Sequence, residues 1–321
     1  MSHSLQPVYS WARRWSQIGL LATLIVSALF NLVLDEVSIS IQLIIALVAL
    51  LVGIPHGAID HLVSIPAKPR SRFFGYIAIY VAIALVAGWA IATWEINGFR
   101  IVVLMSALHF GFGDASYFNE ARDAQGLSRF SSVLGVIYAI PAGFLPVVLP
   151  LTDSRTLNVL ERINPEIVNW AGPQSSNYRS AVIILALIAI SILALRGERS
   201  MALDLLMLFA LSLVAPPLLA FAAYFGFWHA LRHTARLVPK LERARTKAKE
   251  GNWRGSIWSA VFPGLYAIVG TLVIALILKM RFPSEFSKGI LWSSLVIVWA
   301  LTVPHMLTTA RFDLRALSRK T

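Results

Sequence analysis

Six of the seven histidines, His56, His61, His109, His229, His233 and His305, lie inside apolar segments of membrane-spanning length. Only His3 sits in a polar tail. An ionisable side chain in hydrocarbon is costly, so it as a rule faces a protein interior where it has a task. Neutral imidazole is also the commonest side-chain ligand for iron, zinc and copper. The chain has no cysteine, which removes thiolate ligands, iron–sulfur clusters, disulfides and thiol nucleophiles. The pattern points first to a metal held by imidazoles within a bundle of membrane helices.

The histidines differ in what their surroundings suggest. His229 and His233 form an HxxxH pair, and residues four apart share a helix face, so one helix can offer both rings to one ion. His56 stands in GIPHGAIDHL, where Pro55 and Gly57 predict a kink that lets backbone approach a ligand. Asp60, four residues on, falls on the same helical face and reads as a carboxylate that could fix the tautomer of a ligating ring. His61 is turned about 140° from His56, so a hydrogen-bonding or helix-end role suits it better. His109 stands in ALHFGFGDAS, where Gly111 and Gly113 loosen the helix or permit close packing. Asp114 reads equally as a helix-end or supporting group and as a ligand itself. His305, in TVPHM, reads more as a supporting or substrate-lining group than as a ligand. Around the HxxxH pair lie Phe221, Tyr224, Phe225, Phe227 and Trp228. They are ordinary packing or the wall of an apolar channel, and Tyr224 has a hydroxyl able to reach a supporting partner.

These side chains need elements to carry them. The chain has 321 residues, 57% of them hydrophobic, above the 45–50% or so of soluble domains; its mean hydropathy is +0.71. Apolar segments fall at about 17–34, 38–62, 73–94, 100–118, 130–151, 179–195, 201–219, 220–236, 257–279 and 289–311. The first is followed at once by another span and reads as a retained helix rather than a signal peptide. Read as one helix, 201–236 would be about 54 Å long, well beyond a core of about 30 Å. Pro216 and Pro217 should break it into a hairpin or two short helices. The expected fold is an all-α polytopic membrane helix bundle of about ten transmembrane segments, a single transmembrane domain over residues 1–321, with no internal repeat.

With the N-terminus inside, 21 of the 28 Lys and Arg fall on inner loops and termini, as the positive-inside rule requires. Residues 1–16 are then a cytoplasmic tail, 237–254 a basic cytoplasmic loop that brushes anionic headgroups, and 152–178 an outer irregular loop with a short helix. The net charge of +12 follows from this topology and calls for no nucleic acid. The lipid bilayer is the expected surrounding. His56, His229, His233 and His305 come to the inner half of the bilayer, and His109 to mid-span.

The strings GIPHGAIDH, ALHFGFGDAS, APPLLAFAAYFGFWHALRHTAR and LTVPHM stand in order between residues 53 and 306. In them the chain resembles the Brp/Blh family of membrane-bound β-carotene 15,15'-dioxygenases; residues 130–200 carry no matching motif, and the span 17–34 extends beyond the shorter members. The resemblance implies symmetric cleavage of β-carotene by O2 at a non-haem Fe(2+), giving two molecules of all-trans-retinal. It implies His56, His109, His229 and His233 as the catalytic iron ligands. It further implies a bacterial inner membrane, with both termini cytoplasmic, and a functional link to a retinal-binding rhodopsin.

Four neutral imidazoles leave up to two positions of an octahedral iron open for oxygen chemistry. A tunnel among the helices would place the central double bond and stop the rings at its ends, and a C40 hydrocarbon would enter sideways from the bilayer. Three other readings compete: a two-iron desaturase or hydroxylase, which usually needs eight or more histidines; a metal or proton transporter with a histidine relay; and a non-catalytic carotenoid or opsin-assembly factor.

Overall fold

The computed structural model describes residues 4–33, 38–64, 70–281 and 289–318. His3, Leu34, Lys68, Lys288, Arg319 and Lys320, which help to set the termini and segment ends, lie outside the described residues. Every regular element among the described residues is helical. Eight helices are long and apolar enough to cross a membrane: Gln6–Leu32, Ser40–Ser64, Arg70–Thr93, Glu95–Gln125, Ser132–Leu151, Gly172–Leu195, Trp253–Arg281 and Trp292–Leu317. Their outer faces carry large bare side chains such as Phe74, Leu85, Val133 and Leu195. Such apolar surface belongs against lipid rather than water, and the protein is a membrane protein.

In chain order the helices are α1 (Gln6–Val33), α2 (Ile39–Gly57), α3 (Asp60–Ser64), α4 (Arg70–Thr93), α5 (Glu95–Gln125), α6 (Ser132–Leu151), α7 (Ser154–Ile163), α8 (Ser175–Leu195), α9 (Arg199–Val214), α10 (Pro217–Ala223), α11 (Ala230–Leu237), α12 (Glu242–Lys249), α13 (Trp253–Val261), α14 (Leu265–Arg281) and α15 (Ile290–Ser318). The two segments read at 201–219 and 220–236 take the form of α9 and the run 217–237. The chain leaves helix at Ala215 (φ −74, ψ 148), because Pro216 and Pro217 cannot continue the hydrogen-bond ladder. The stretch 152–178 holds α7 and two short 3-10 turns, and the basic stretch 237–254 holds α12.

Helices α5 and α6 form the centre. Windows of 67% and 61% of their residues are buried, against 6–33% for the other spanning helices. Their backbones cross in contact. A Cβ on Gly111 would stand 1.9 Å from the Ala139 carbonyl oxygen, and one on Gly143 1.7 Å from that of Ala107. Small residues at such a crossing replace the missing hydrophobic drive within a membrane by close van der Waals contact. Helix α5 ends cleanly: Gly126 takes the left-handed conformation (φ 71) and its N–H donates back into the last turn, a conformation glycine adopts without penalty. The crossing and the cap fix the height of His109.

Candidate metal centre

Four helical stretches deliver the histidines. Helix α10 opens on Pro217, changes to π geometry over Tyr224–His229 and resumes as α11. A π turn adds a residue to one helical turn and re-aims the side chains beyond it; His229 closes it and His233 lies one turn on. His56 sits in the last turn of α2. Pro55 has no N–H to bond back into the helix, and α2 stops at Gly57. The Pro55 carbonyl is approached so closely that a Cβ on Gly264 would lie 2.0 Å away. His109 comes from the middle of α5, and His305 follows Pro304 inside α15.

Five rings meet. His56 lies 5.1 Å from His229, His229 5.1 Å from His109, His109 5.1 Å from His305, and His305 5.6 Å from His56, centroid to centroid. His233 caps this four-membered circuit at 5.0, 5.6, 5.5 and 6.3 Å from His56, His229, His305 and His109. Imidazoles that share one ion through bonds of about 2.1 Å, at angles of about 90–120°, have centroids about 4.6–5.6 Å apart; seven of these distances fall in that range and the 6.3 Å between His109 and His233 exceeds it. All five residues are buried. His61 stands outside this cluster, its ring 6.0 Å from that of Phe73, but borders the cavity onto which the cluster opens.

Each of the five rings carries a buried nitrogen without a hydrogen-bond partner: Nδ1 of His56, Nε2 of His109, His229 and His305, and both nitrogens of His233. Buried polar atoms are nearly always paired, and an unpaired one costs free energy. A cluster of bare imidazole nitrogens therefore fits a metal cation, and the donor set suits iron, zinc or copper. Among the described residues no group of three or more His, Asp or Glu side chains stands in a geometry that could hold a metal ion as placed. The rings are gathered at ligand spacing while their nitrogens are not drawn onto one point.

Hydrogen bonds orient two of the rings. Thr309 Oγ1 lies 3.1 Å from His109 Nδ1 and donates its only proton to the His305 or Met306 carbonyl. It can then only accept from His109 Nδ1–H, which leaves Nε2 as the lone-pair nitrogen. Asp60 holds Nδ1 of His305 at 2.9 and 3.1 Å, and the Tyr80 hydroxyl donates to the same carboxylate at 3.2 Å. The expectation that Asp60 serves His56 through a shared helix face is corrected here. Helix α2 ends at Gly57 and Asp60 starts α3, so four-residue spacing does not carry across the break.

A second network braces the histidine helix from behind. Asp114 is buried in mid-helix of α5, not at a helix end; it accepts from Trp228 Nε1 at 2.8 Å and Tyr224 Oη at 3.2 Å. The Arg232 guanidinium lies 3.4 Å above the Trp228 ring and pairs with Asp204 at 2.7 Å. Arg236 pairs with Asp313 at 2.7 Å and Glu120 at 2.9 Å. Arg232 and Arg236 thus anchor α11 while His229 and His233 face the cluster. None of Glu120, Asp204, Arg232, Arg236, Asp313 or Thr309 stands out in the sequence as a site residue. Asp204 lies within an apolar segment and offers a signal; Thr309 offers only its place one turn after His305.

One face of the cluster opens onto an apolar cavity of about 260 Å³. His56, His109, His229 and His305 line it with Asp60, His61, Tyr76, Tyr80, Phe110, Phe225, Leu50, Ile54 and Leu301. His233 lies away from it and borders a small separate space beside Arg236, Thr309 and Asp313. The arrangement sets a buried histidine cluster between an apolar chamber on one side and a charged, hydrogen-bonded anchor on the other.

The family model described as Beta-carotene 15,15'-dioxygenase matches residues 47–313. The chain is 26% identical over 277 residues to a Beta-carotene 15,15'-dioxygenase of uncultured marine bacterium 66A03, covering 80% of this chain and 88% of that one. It is 23% identical over 292 residues to a Probable beta-carotene 15,15'-dioxygenase Blh of Halobacterium salinarum, covering 83% and 82%. No solved structure matches.

Proposed function

The chain belongs to the Beta-carotene 15,15'-dioxygenase family, and on that premise we propose that it cleaves the central double bond of β-carotene with O2, at an Fe(2+) held by His56, His109, His229 and His233, to give two all-trans-retinal. The observation that carries this reading is the buried histidine cluster with bare nitrogens, open on one side to an apolar cavity. Iron bound there would supply an open coordination position for oxygen activation. The C15–C15′ double bond breaks, and each half takes one oxygen atom.

The chain's own residues perform the rest. Phe110, Phe225, Ile54 and Leu301 offer the polyene an apolar wall and keep water from it. At about 260 Å³ the chamber suits the middle of an elongated substrate, which puts a central bond, rather than a ring, beside the histidines. Thr309 holds His109 with Nε2 free. Because all five rings join one cluster, the geometry supports one ion rather than the two of a desaturase. The substrate is a hydrocarbon of the bilayer and reaches the cavity from lipid; retinal leaves the same way to serve a rhodopsin or another retinoid user. The inner membrane, with both termini cytoplasmic, fits the charge distribution.

The test is expression in a bacterial host that accumulates β-carotene, with carotenoids and retinoids separated by chromatography. Loss of β-carotene with retinal appearing, and neither in a His229→Ala control, supports the reading. Unchanged β-carotene at verified expression and iron supply overturns it.

A further inference from the structure

We propose that His305 is a fifth ligand of the same ion, aimed by Asp60, so that one open coordination position remains and faces the apolar cavity. The inference rests on the iron-site reading and deepens it.

The first ground is position. The eight centroid distances among the five rings trace the edges of a square pyramid, seven of them 5.0–5.6 Å and one, from His109 to His233, stretched to 6.3 Å. His56, His229, His109 and His305 form its base, with sides of 5.1, 5.1, 5.1 and 5.6 Å, and His233 its apex. His305 stands in that base on the same terms as the others. It is 5.1 Å from His109 and 5.5 Å from His233.

The second ground is hydrogen bonding. The Asp60 carboxylate takes Nδ1 of His305 with both oxygens. With Nδ1 turned to the carboxylate, Nε2 is the nitrogen left to a metal. That atom is buried and has no partner. A carboxylate behind an imidazole is the usual support of a metal-ligating histidine. Tyr80 holds the carboxylate in turn.

The third ground is the substrate. A histidine that merely lines the cavity would meet a hydrocarbon there. β-Carotene has no polar atom for Nε2 to bond, so a lining role leaves the nitrogen as bare as it is now. A metal ion satisfies it. The four base rings line the cavity and the apex ring does not, so the sixth position of an octahedron opens onto the chamber.

The test is Co2+ titration of the purified, metal-free full-length chain in detergent, followed by visible absorption. Wild type should bind one equivalent. His305→Ala should raise the Kd at least about tenfold and change the Co2+ bands, and added imidazole should restore both. Asp60→Asn should raise the Kd about 10–100-fold, the usual cost of losing a ligand's support. A wild-type Kd and spectrum in His305→Ala would overturn the inference. If that variant does not fold, wild-type behaviour in Asp60→Asn overturns it equally. Failure of the wild-type chain to bind either Co2+ or iron would remove the iron-site reading itself, a different result from metal bound without His305.

Discussion

Thr309 Oγ1 lies 3.1 Å from His109 Nδ1 while giving its own proton to a carbonyl of its helix, that of His305 at 2.9 Å or Met306 at 3.2 Å. One hydroxyl thereby ties α15 to α5 and sets which nitrogen of His109 is free. Thr309→Val keeps the shape and removes the acceptor, so His109 is no longer held in one tautomer. Iron affinity should fall about tenfold or more, and Thr309→Ser should keep it near wild type. The check is iron retained per chain after dialysis against a graded chelator.

The α5–α6 crossing separates two glycines that look alike in the sequence. Gly111→Val must push the Ala139 carbonyl away, whereas a Cβ on Gly113 meets nothing closer than 3.6 Å. Gly111→Val should destabilise by about 1–3 kcal/mol or more and lose iron through displacement of His109. Gly113→Ala should behave as wild type. Thermal unfolding in detergent, with iron content measured on the same samples, compares the two.

The Arg232–Asp204 pair is buried on both sides; Arg232 Nε also donates to Ser16 and Gln17 donates to Asp204. Removing one partner strands a charge. Asp204→Ala should cost about 3–5 kcal/mol, while the double change Asp204→Leu with Arg232→Met should cost much less. A double-mutant cycle on detergent stability, with Asp204→Leu and Arg232→Met also made singly, measures the coupling; a double loss equal to the sum of the two single losses would mean the charges do not depend on each other.

Much of the centre is legible in the sequence. Buried imidazoles stand out in apolar segments, and segment depth with charge bias brings four of them to the inner half of the bilayer and His109 to mid-span. The links between them are less visible. Asp60 seems to belong to His56 because four-residue spacing assumes a continuous helix, and the break after Gly57 gives it to His305, 245 positions away. His305 does line the cavity, as its sequence suggests, but nothing local to TVPHM reveals its neighbours on α5 and α11. The segments 201–219 and 220–236 are separable because two adjacent prolines interrupt a run too long for one crossing. The π turn at Tyr224–His229 leaves no sequence sign, since its composition equals that of an ordinary apolar helix.

Phe225 packs along His229 at 6.0 Å with rings 20° apart and also walls the cavity. Phe225→Ala should widen the chamber beside the cluster and loosen the placement of the polyene. The expected result is a several-fold rise in KM with off-centre aldehydes appearing beside retinal. Chromatography of the products reads this directly; unaltered central cleavage at wild-type KM would remove Phe225 from substrate placement.

The most direct measurement is iron content together with product yield on one purified preparation, for the wild-type chain and for His229→Ala and His233→Ala. The expected result is one iron per chain and two retinal per β-carotene consumed in the wild type, with both iron and retinal lost in the variants. Undiminished cleavage by a folded, iron-free variant would contradict the account.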